Sequence, residues 1–199
     1  MYAKVTQRPV PKACKGKHAT EFGGEVHLDL WGSTPVETKG GHKYYIMFTN
    51  DMSWLMHLYL LRLKSEAFNA YKQYEVWCMM HLGMSIKILH SDCGDEYLDK
   101  GFTLYLKSRG TEQKLTMHDT PSQNGVAKRR NHTIVEHIQA LLHASGLPRF
   151  LWGEAARHVV WLMNRTSTKA VDGKTPYEAA FKKKPDLRDV CKWGETMWV

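Results

Sequence analysis

Residues 24–61 hold three consecutive stretches of strand-like character with no helical spacing between them, and this limits the fold more than any other feature. In "GEVHLDLWG", Val26, Leu28 and Leu30 fall on one face while His27, Asp29 and Trp31 fall on the other, the period of two that a strand requires. "TPVETKGGHK" follows as a turn with paired glycines. "YYIMFTND" and "SWLMHLYLL" then read as two more strands, so the three form a meander. From residue 64 the spacing changes: Ala67, Tyr71, Tyr74 and Cys78 recur at helical intervals, and Gly83 ends the helix. A fourth strand, "SIKILHSD", ends at Asp92. A short helix near 97–109, a fifth strand "TEQKLT" and a turn-rich Asn-Gly loop come next. The loop leads into a long helix whose buried stripe is Ala127, Asn131, Ile134, Ile138 and Leu141. "SGLP" closes that helix, and another starts near Phe150 with Trp152, Ala156, Val159 and Met163 inward. One short helix lies in "GKTPYEAAFKKKPDLRD". This order predicts an α/β fold: a mixed five-stranded sheet, a three-strand meander plus two further strands, with helices on both faces. In such a fold, carboxylates at the ends of neighbouring strands can converge on one edge of the sheet.

Charge narrows the class of partner. The chain of 199 residues carries a formal charge of +8, and the excess is local. Residues 1–20 hold Lys4, Arg8, Lys12, Lys15 and Lys17 with no acid, and residues 100–135 hold seven cations against Glu112 and Asp119. A polyanion fits this distribution, nucleic acid before a membrane, because no basic amphipathic helix with exposed aromatics accompanies it. Charge alone is equally consistent with a basic, merely soluble domain. Apolar runs such as "WLMHLYLL" fall far short of the ~20 residues that a membrane helix needs. The N-terminal stretch has basic residues but no apolar segment behind them, so an intracellular location is expected. Cys14, Cys78, Cys93 and Cys191 form no CxxC pair, which argues against a disulfide framework and against a complete zinc site.

Asp29 stands inside an otherwise apolar first strand and Asp92 ends the fourth. An aspartate in a strand is disfavoured by propensity and costly to bury unpaired, so it requires a partner. Two aspartates on adjacent strands suit a hard divalent cation such as Mg²⁺, which takes oxygen ligands and keeps waters for a substrate phosphate. On these two acids alone the bland alternative stays open, with Asp29 capped or ion-paired locally and Asp92 opening a turn in "SDCGDEY". His118, His132 and His137 show no ligand spacing beyond chance.

In order along the chain, "VHLDLWG", "GGHKYYIMFTND", "HSDCGDEY", "TPSQNGVAKRRNHTIVE", "LWGEAARHVVWLMNR" and "KTPYEAAFKKKPDL" resemble the catalytic core of retroelement integrases, and in detail the integrase of Ty1/copia-type retrotransposons. The resemblance covers nearly the whole chain from about residue 20. It implies an RNase H-like fold, DNA integration by polynucleotidyl transfer, and two Asp and one Glu that bind Mg²⁺ or Mn²⁺. It also implies element ends and target DNA as partners, with RNA as a further polyanion, a homo-oligomer, and a nuclear site of action. Asp29 and Asp92 match the two aspartates.

The match breaks at the third acid. Thirty-five residues lie between Asp92 and Lys128, and Lys128 occupies the Glu position of the family's "QNGVAER" pattern. Lysine offers three donors, no acceptor and a positive charge, so it repels Mg²⁺ rather than ligating it. Metal binding is expected to be weakened and catalysis impaired. Glu136 lies eight residues on, ~12 Å along the helix axis at ~1.5 Å per residue, too far to take over. Asp119, Asp95 and Glu96 are loop acids near the expected site. Alternatively, Lys128 pairs with Asp29 or Asp92 and fills the metal's electrostatic role.

A second departure is at the N-terminus. The family's zinc-binding His/Cys module ends in CxxC, but "PKAC" leaves Cys14 alone, so no zinc is expected there. Lys114, Gln123, Asn124, Arg129 and Arg130 are candidates for nucleic-acid contact. Gln123 and Asn124 would act from the loop, and the cations on phosphates. A solvated charged face is the alternative for these cations.

The expected organisation is a basic tail over 1–20, remnant of the zinc-binding segment, an integrase core over 21–170 and a C-terminal extension over 171–199. Two other functions remain open at this point. One is a non-catalytic nucleic-acid-binding or multimerising module. The other is an RNase H-like nuclease using a single metal at Asp29 and Asp92.

Overall fold

The computed structural model describes residues 19–92, 94, 99–116, 121–188 and 190–195, and within these it leaves out the side chains of 116 and 121–129. Five strands form one sheet: β1 (Val26–Gly32), β2 (Tyr44–Asn50), β3 (Met56–Leu61), β4 (Ile88–Asp92) and β5 (Glu112–Thr116). Their spatial order is β3-β2-β1-β4-β5. The first three strands pair antiparallel as the meander. β4 lies parallel to β1, and β5 parallel to β4. Among the described residues five α-helices accompany them: α1 (Ala67–Leu82), α2 (Lys100–Arg109), α3 (Pro121–Ser145), α4 (Trp152–Arg165) and α5 (Pro176–Phe181). The α/β expectation, with a mixed sheet covered on both faces, holds.

Alternation along the strands builds two cores. Val26 and Leu28 of β1, Ile46 and Phe48 of β2 and Leu89 of β4 point into one layer, where Tyr71 and Tyr74 of α1 and Phe102 and Leu106 of α2 meet them. Phe48 stacks on Tyr74 with ring centroids 4.5 Å apart and planes within 6°. Tyr45 and Met47 of β2 point the other way, against Ile134 and Ile138 of α3 and Trp152, Ala155, Ala156 and Val159 of α4. Trp31 joins that second layer and stacks on Tyr45 at 5.1 Å. Phe181 of α5 packs against the first core and Trp193 against the second.

At its first residue, the β3 edge is capped by one side chain of α4. Asn164 accepts from the Met56 amide at 2.9 Å and donates to the Met56 carbonyl at 2.8 Å. Met56 is thereby given the backbone pairing that a free edge position would otherwise seek in another chain. At the start of α4, Gly153 lets the helix approach β3: a Cβ there would come within 2.8 Å of the Leu60 side chain.

One boundary differs from expectation. The Asn-Gly segment is not a loop ahead of the long helix, because α3 already begins at Pro121. Ser122, Gln123, Asn124 and Gly125 are therefore helical. Proline at the first helical position loses no hydrogen bond and presets φ for the turn that follows. Gly125 costs only about 1 kcal/mol in a helix interior, which the packing of so long a helix overrides.

Candidate functional site

The sheet register brings the two aspartates to one place. β1 and β4 pair Val26 with Leu89 and His27 with His90. Val26 and Leu89 are fully buried in the α1 layer, so His27 and His90 face the opposite layer, their rings 5.1 Å apart. Two residues further along each strand, Asp29 and Asp92 follow on that same face. Adjacent strands are about 4.8 Å apart. The two carboxylates thus leave neighbouring strands on one face, each two residues past the last paired position.

Their surroundings differ. Asp29 is half-buried and accepts a short hydrogen bond from the Asn131 side-chain amide of α3. The other end of that amide accepts from the Tyr45 hydroxyl at 3.0 Å. Asn131 is itself buried, at 7% exposure. Burial, with the Asp29 charge beside it, pushes the Tyr45 phenol well above its ordinary range, which keeps it a donor. The chain Tyr45–Asn131–Asp29 thus fixes one carboxylate from two elements. Asp92 is exposed, and one of its oxygens accepts from the Gly94 amide at 3.2 Å.

Arg130 immediately precedes Asn131 and sits with its guanidinium 4.2 Å over the Trp54 ring. Burial draws its pKa down to about 10, and the carboxylates of Asp51 and Asp29 oppose that shift, so it stays charged at neutral pH. Lys114 lies across from His90 in the β4–β5 register and is half-buried. Burial holds the His90 imidazole below its usual range, with Glu25 pulling it back up.

Lys128 stands one turn before Asn131 in α3, and positions three apart share a helix face. Asn131 reaches Asp29 from that face. The side chains of Gln123, Asn124, Lys128 and Arg129 lie outside the described residues, as do Asp119, Asp95 and Glu96. Glu136 lies elsewhere: it is exposed and pairs with His132 at 3.2 Å. The role of Asn131 was not legible from its place in the buried stripe. The signal was a polar residue in an apolar face, one turn from the candidate third position.

Comparison with solved structures shows which fold this is. A chain of the simian T-cell lymphotropic virus intasome, solved with PP2A regulatory subunit B56 gamma, superposes with a TM-score of 0.66 at 16% identity, covering 92% of this chain and 64% of that one. The HTLV-2 integrase catalytic core domain, solved with magnesium in a trimeric form, gives 0.57 at 18% identity over 79% of this chain and 96% of its own. The fold is that of the RNase H-like integrase catalytic cores. No family model matches.

Sequence relatives give the lineage. The chain is 36% identical over 141 residues to the retrovirus-related Pol polyprotein from transposon TNT 1-94 of Nicotiana tabacum, an alignment covering 71% of this chain. It is 25% identical over 169 residues to the corresponding polyprotein from transposon RE2 of Arabidopsis thaliana, covering 85% of this chain. The chain spans 11% of the length of each of these relatives. It belongs to the Ty1/copia-type Pol polyproteins and corresponds to their integrase core.

Proposed function

We propose that this integrase core is built to join DNA strands by polynucleotidyl transfer and that Lys128 impairs the reaction in this copy. The observation that carries the reading is the placement of Asp29 and Asp92 on one sheet face, each two residues past the paired His27 and His90, with Lys128 one turn from the residue that holds Asp29. The donor set fits one hard divalent ion: Asp29 is anchored and Asp92 is open to solvent. It does not fit a pair of ions, since an ammonium replaces the third carboxylate.

Asp29 and Asp92 would hold Mg²⁺ or Mn²⁺. Bound there, the ion supplies Lewis-acid activation of the attacking oxygen and charge neutralisation at the phosphate. Asn131, itself braced by the Tyr45 hydroxyl, holds the Asp29 carboxylate in place. Lys114, Gln123, Asn124, Arg129 and Arg130 are the groups proposed to meet nucleic acid. Of these, Arg130 acts as a cation held against Trp54 rather than as a freely swinging side chain. Phosphate contacts of this kind weaken steeply with salt. A second copy of the chain and a nuclear site of action belong to the same reading.

The test is strand transfer and nicking on DNA ends, with Mg²⁺ and with Mn²⁺, by the unaltered chain beside Lys128→Glu. Activity that rises by roughly 10²-fold or more on restoring the acid supports impairment at this position. Salt-sensitive DNA binding with no activity in either protein supports a non-catalytic nucleic-acid-binding module instead. Robust transfer by the unaltered chain overturns the reading, and nicking without transfer favours a single-metal nuclease.

A further inference from the structure

Behind the aspartate pair, the same sheet face carries a second group of ligand-type side chains. Glu25, His27 and His90 each offer one ligand atom, and those atoms all lie within 4.8 Å of one another. His90 Nε2 is 3.0 Å from Glu25 Oε1, and His27 Nε2 is 3.6 Å from the same oxygen. Two imidazole nitrogens thus converge on one carboxylate oxygen from different strands. A tetrahedral ion with bonds of ~2.0–2.1 Å spaces its ligands about 3.3 Å apart, between the two distances seen. Asp51, just past the end of β2, places Oδ1 3.5 Å from His27 Nε2 and so stands beside the cluster as a fourth ligand-type atom and its second oxygen. Asp51 Oδ2 accepts from the Ala19 amide at 2.7 Å, which steers that carboxylate.

We propose that Glu25, His27 and His90, with Asp51 beside them, form a site for a borderline divalent transition metal, Zn²⁺ foremost. Two imidazoles and carboxylate oxygen select such an ion over Mg²⁺, which prefers oxygen alone. The site lies about 7 Å from the aspartate pair, two residues back along each strand at ~3.3 Å per residue. It is therefore separate from the proposed catalytic ion and stands whether or not that reading holds. Bound metal would tie β1 to β4 and to the turn after β2, where the sheet changes from antiparallel to parallel pairing. Two cations on this face oppose it: Arg130, whose guanidinium interacts with Asp51 and is held over Trp54, and Lys114, in register with His90, whose flexible stem lets the ammonium move to water.

The full chain, stripped with chelator, is titrated with Zn²⁺ by calorimetry and with Co²⁺ by its visible d–d absorption. The expected result is about one equivalent bound, with an intense four-coordinate Co²⁺ spectrum and a raised melting temperature. His90→Gln and Glu25→Gln each weaken binding by at least ~100-fold, the upper range for losing even an outer-sphere partner. Asp29→Asn with Asp92→Asn leaves it intact. Circular dichroism checks folding, and His27→Gln replaces His90→Gln if the latter does not fold. Zn²⁺ binding that survives both histidine substitutions, or that is lost with the aspartate pair, overturns the proposal, as does the lack of any binding at micromolar Zn²⁺.

Discussion

The two layers on either side of the sheet are built from different materials. On the α1 and α2 side, β1, β2 and β4 present Val26, Leu28, Ile46, Phe48 and Leu89 to a stack of aromatic rings. The buried acid there, Glu75, is fully engaged, accepting from Tyr105 at 2.7 Å and from Arg109 at 3.1 Å. On the α3 side, the same strands present His27, Asp29, His90 and Asp92, and the helix answers with Asn131 and Arg130. One layer holds the sheet rigid, and the other uses that rigidity to position charge. Two neighbouring strands of a sheet can serve both ends because successive residues point to opposite faces.

The largest expected effect falls in the apolar layer. Phe48→Ala removes a fully buried ring stacked on Tyr74 and should cost about 3–5 kcal/mol in denaturant unfolding. A loss under about 1.5 kcal/mol would mean that this layer collapses around the void and is not the rigid half of the molecule.

Acid should weaken the same layer. The half-buried His57 packs against Trp77, at 3.8 Å between ring centroids, and its buried Nε2 finds no hydrogen-bond partner among the described residues. Burial lowers its pKa to about 4 from an ordinary 6.5. The unfolded chain then takes up the proton first, so stability is complete above about pH 6.5 and falls as pH drops toward 4. Over that window the loss is about 3 kcal/mol. The difference between the pH–stability curves of the unaltered chain and His57→Leu isolates it, and parallel curves would show that His57 is not the acid-sensitive group.

Asn131→Ala probes the polar layer. It leaves the Tyr45 hydroxyl and the Asp29 carboxylate each short of a partner, at a cost of about 1–3 kcal/mol. Combining it with Tyr45→Phe should cost less than the sum of the two single changes, whereas strict additivity would show that the side chains do not act as one network. The smallest effect is expected at Glu136. Its exposed pairing with His132 is worth about 0.3 kcal/mol, and Glu136→Gln should leave Mg²⁺ affinity unchanged. A drop in that affinity would make Glu136 the stand-in acid that its position argues against.

Much of this was legible in the sequence, because the patterns that reveal it are local. Period two in 24–61 gives the meander, and helical spacing of Tyr71, Tyr74 and Cys78 gives α1. The position of Asp29 inside an apolar strand marks the site face. Long-range pairing was not legible. Asn131 reaches Asp29 across 102 positions, and Glu25, His27 and His90 meet only because β4 returns parallel beside β1. The start of α3 was misread because Ser122, Asn124 and Gly125 are turn formers by local preference, while packing of the long helix decides their state.

Mg²⁺ titration of the chain, of Lys128→Glu and of Lys128→Glu with Asp29→Asn goes to the centre of the account. The prediction is that restoring the acid tightens Mg²⁺ binding by at least about tenfold, and that removing the Asp29 carboxylate abolishes the gain. Equal affinities in all three proteins would contradict it, since neither Asp29 nor position 128 would then face the ion.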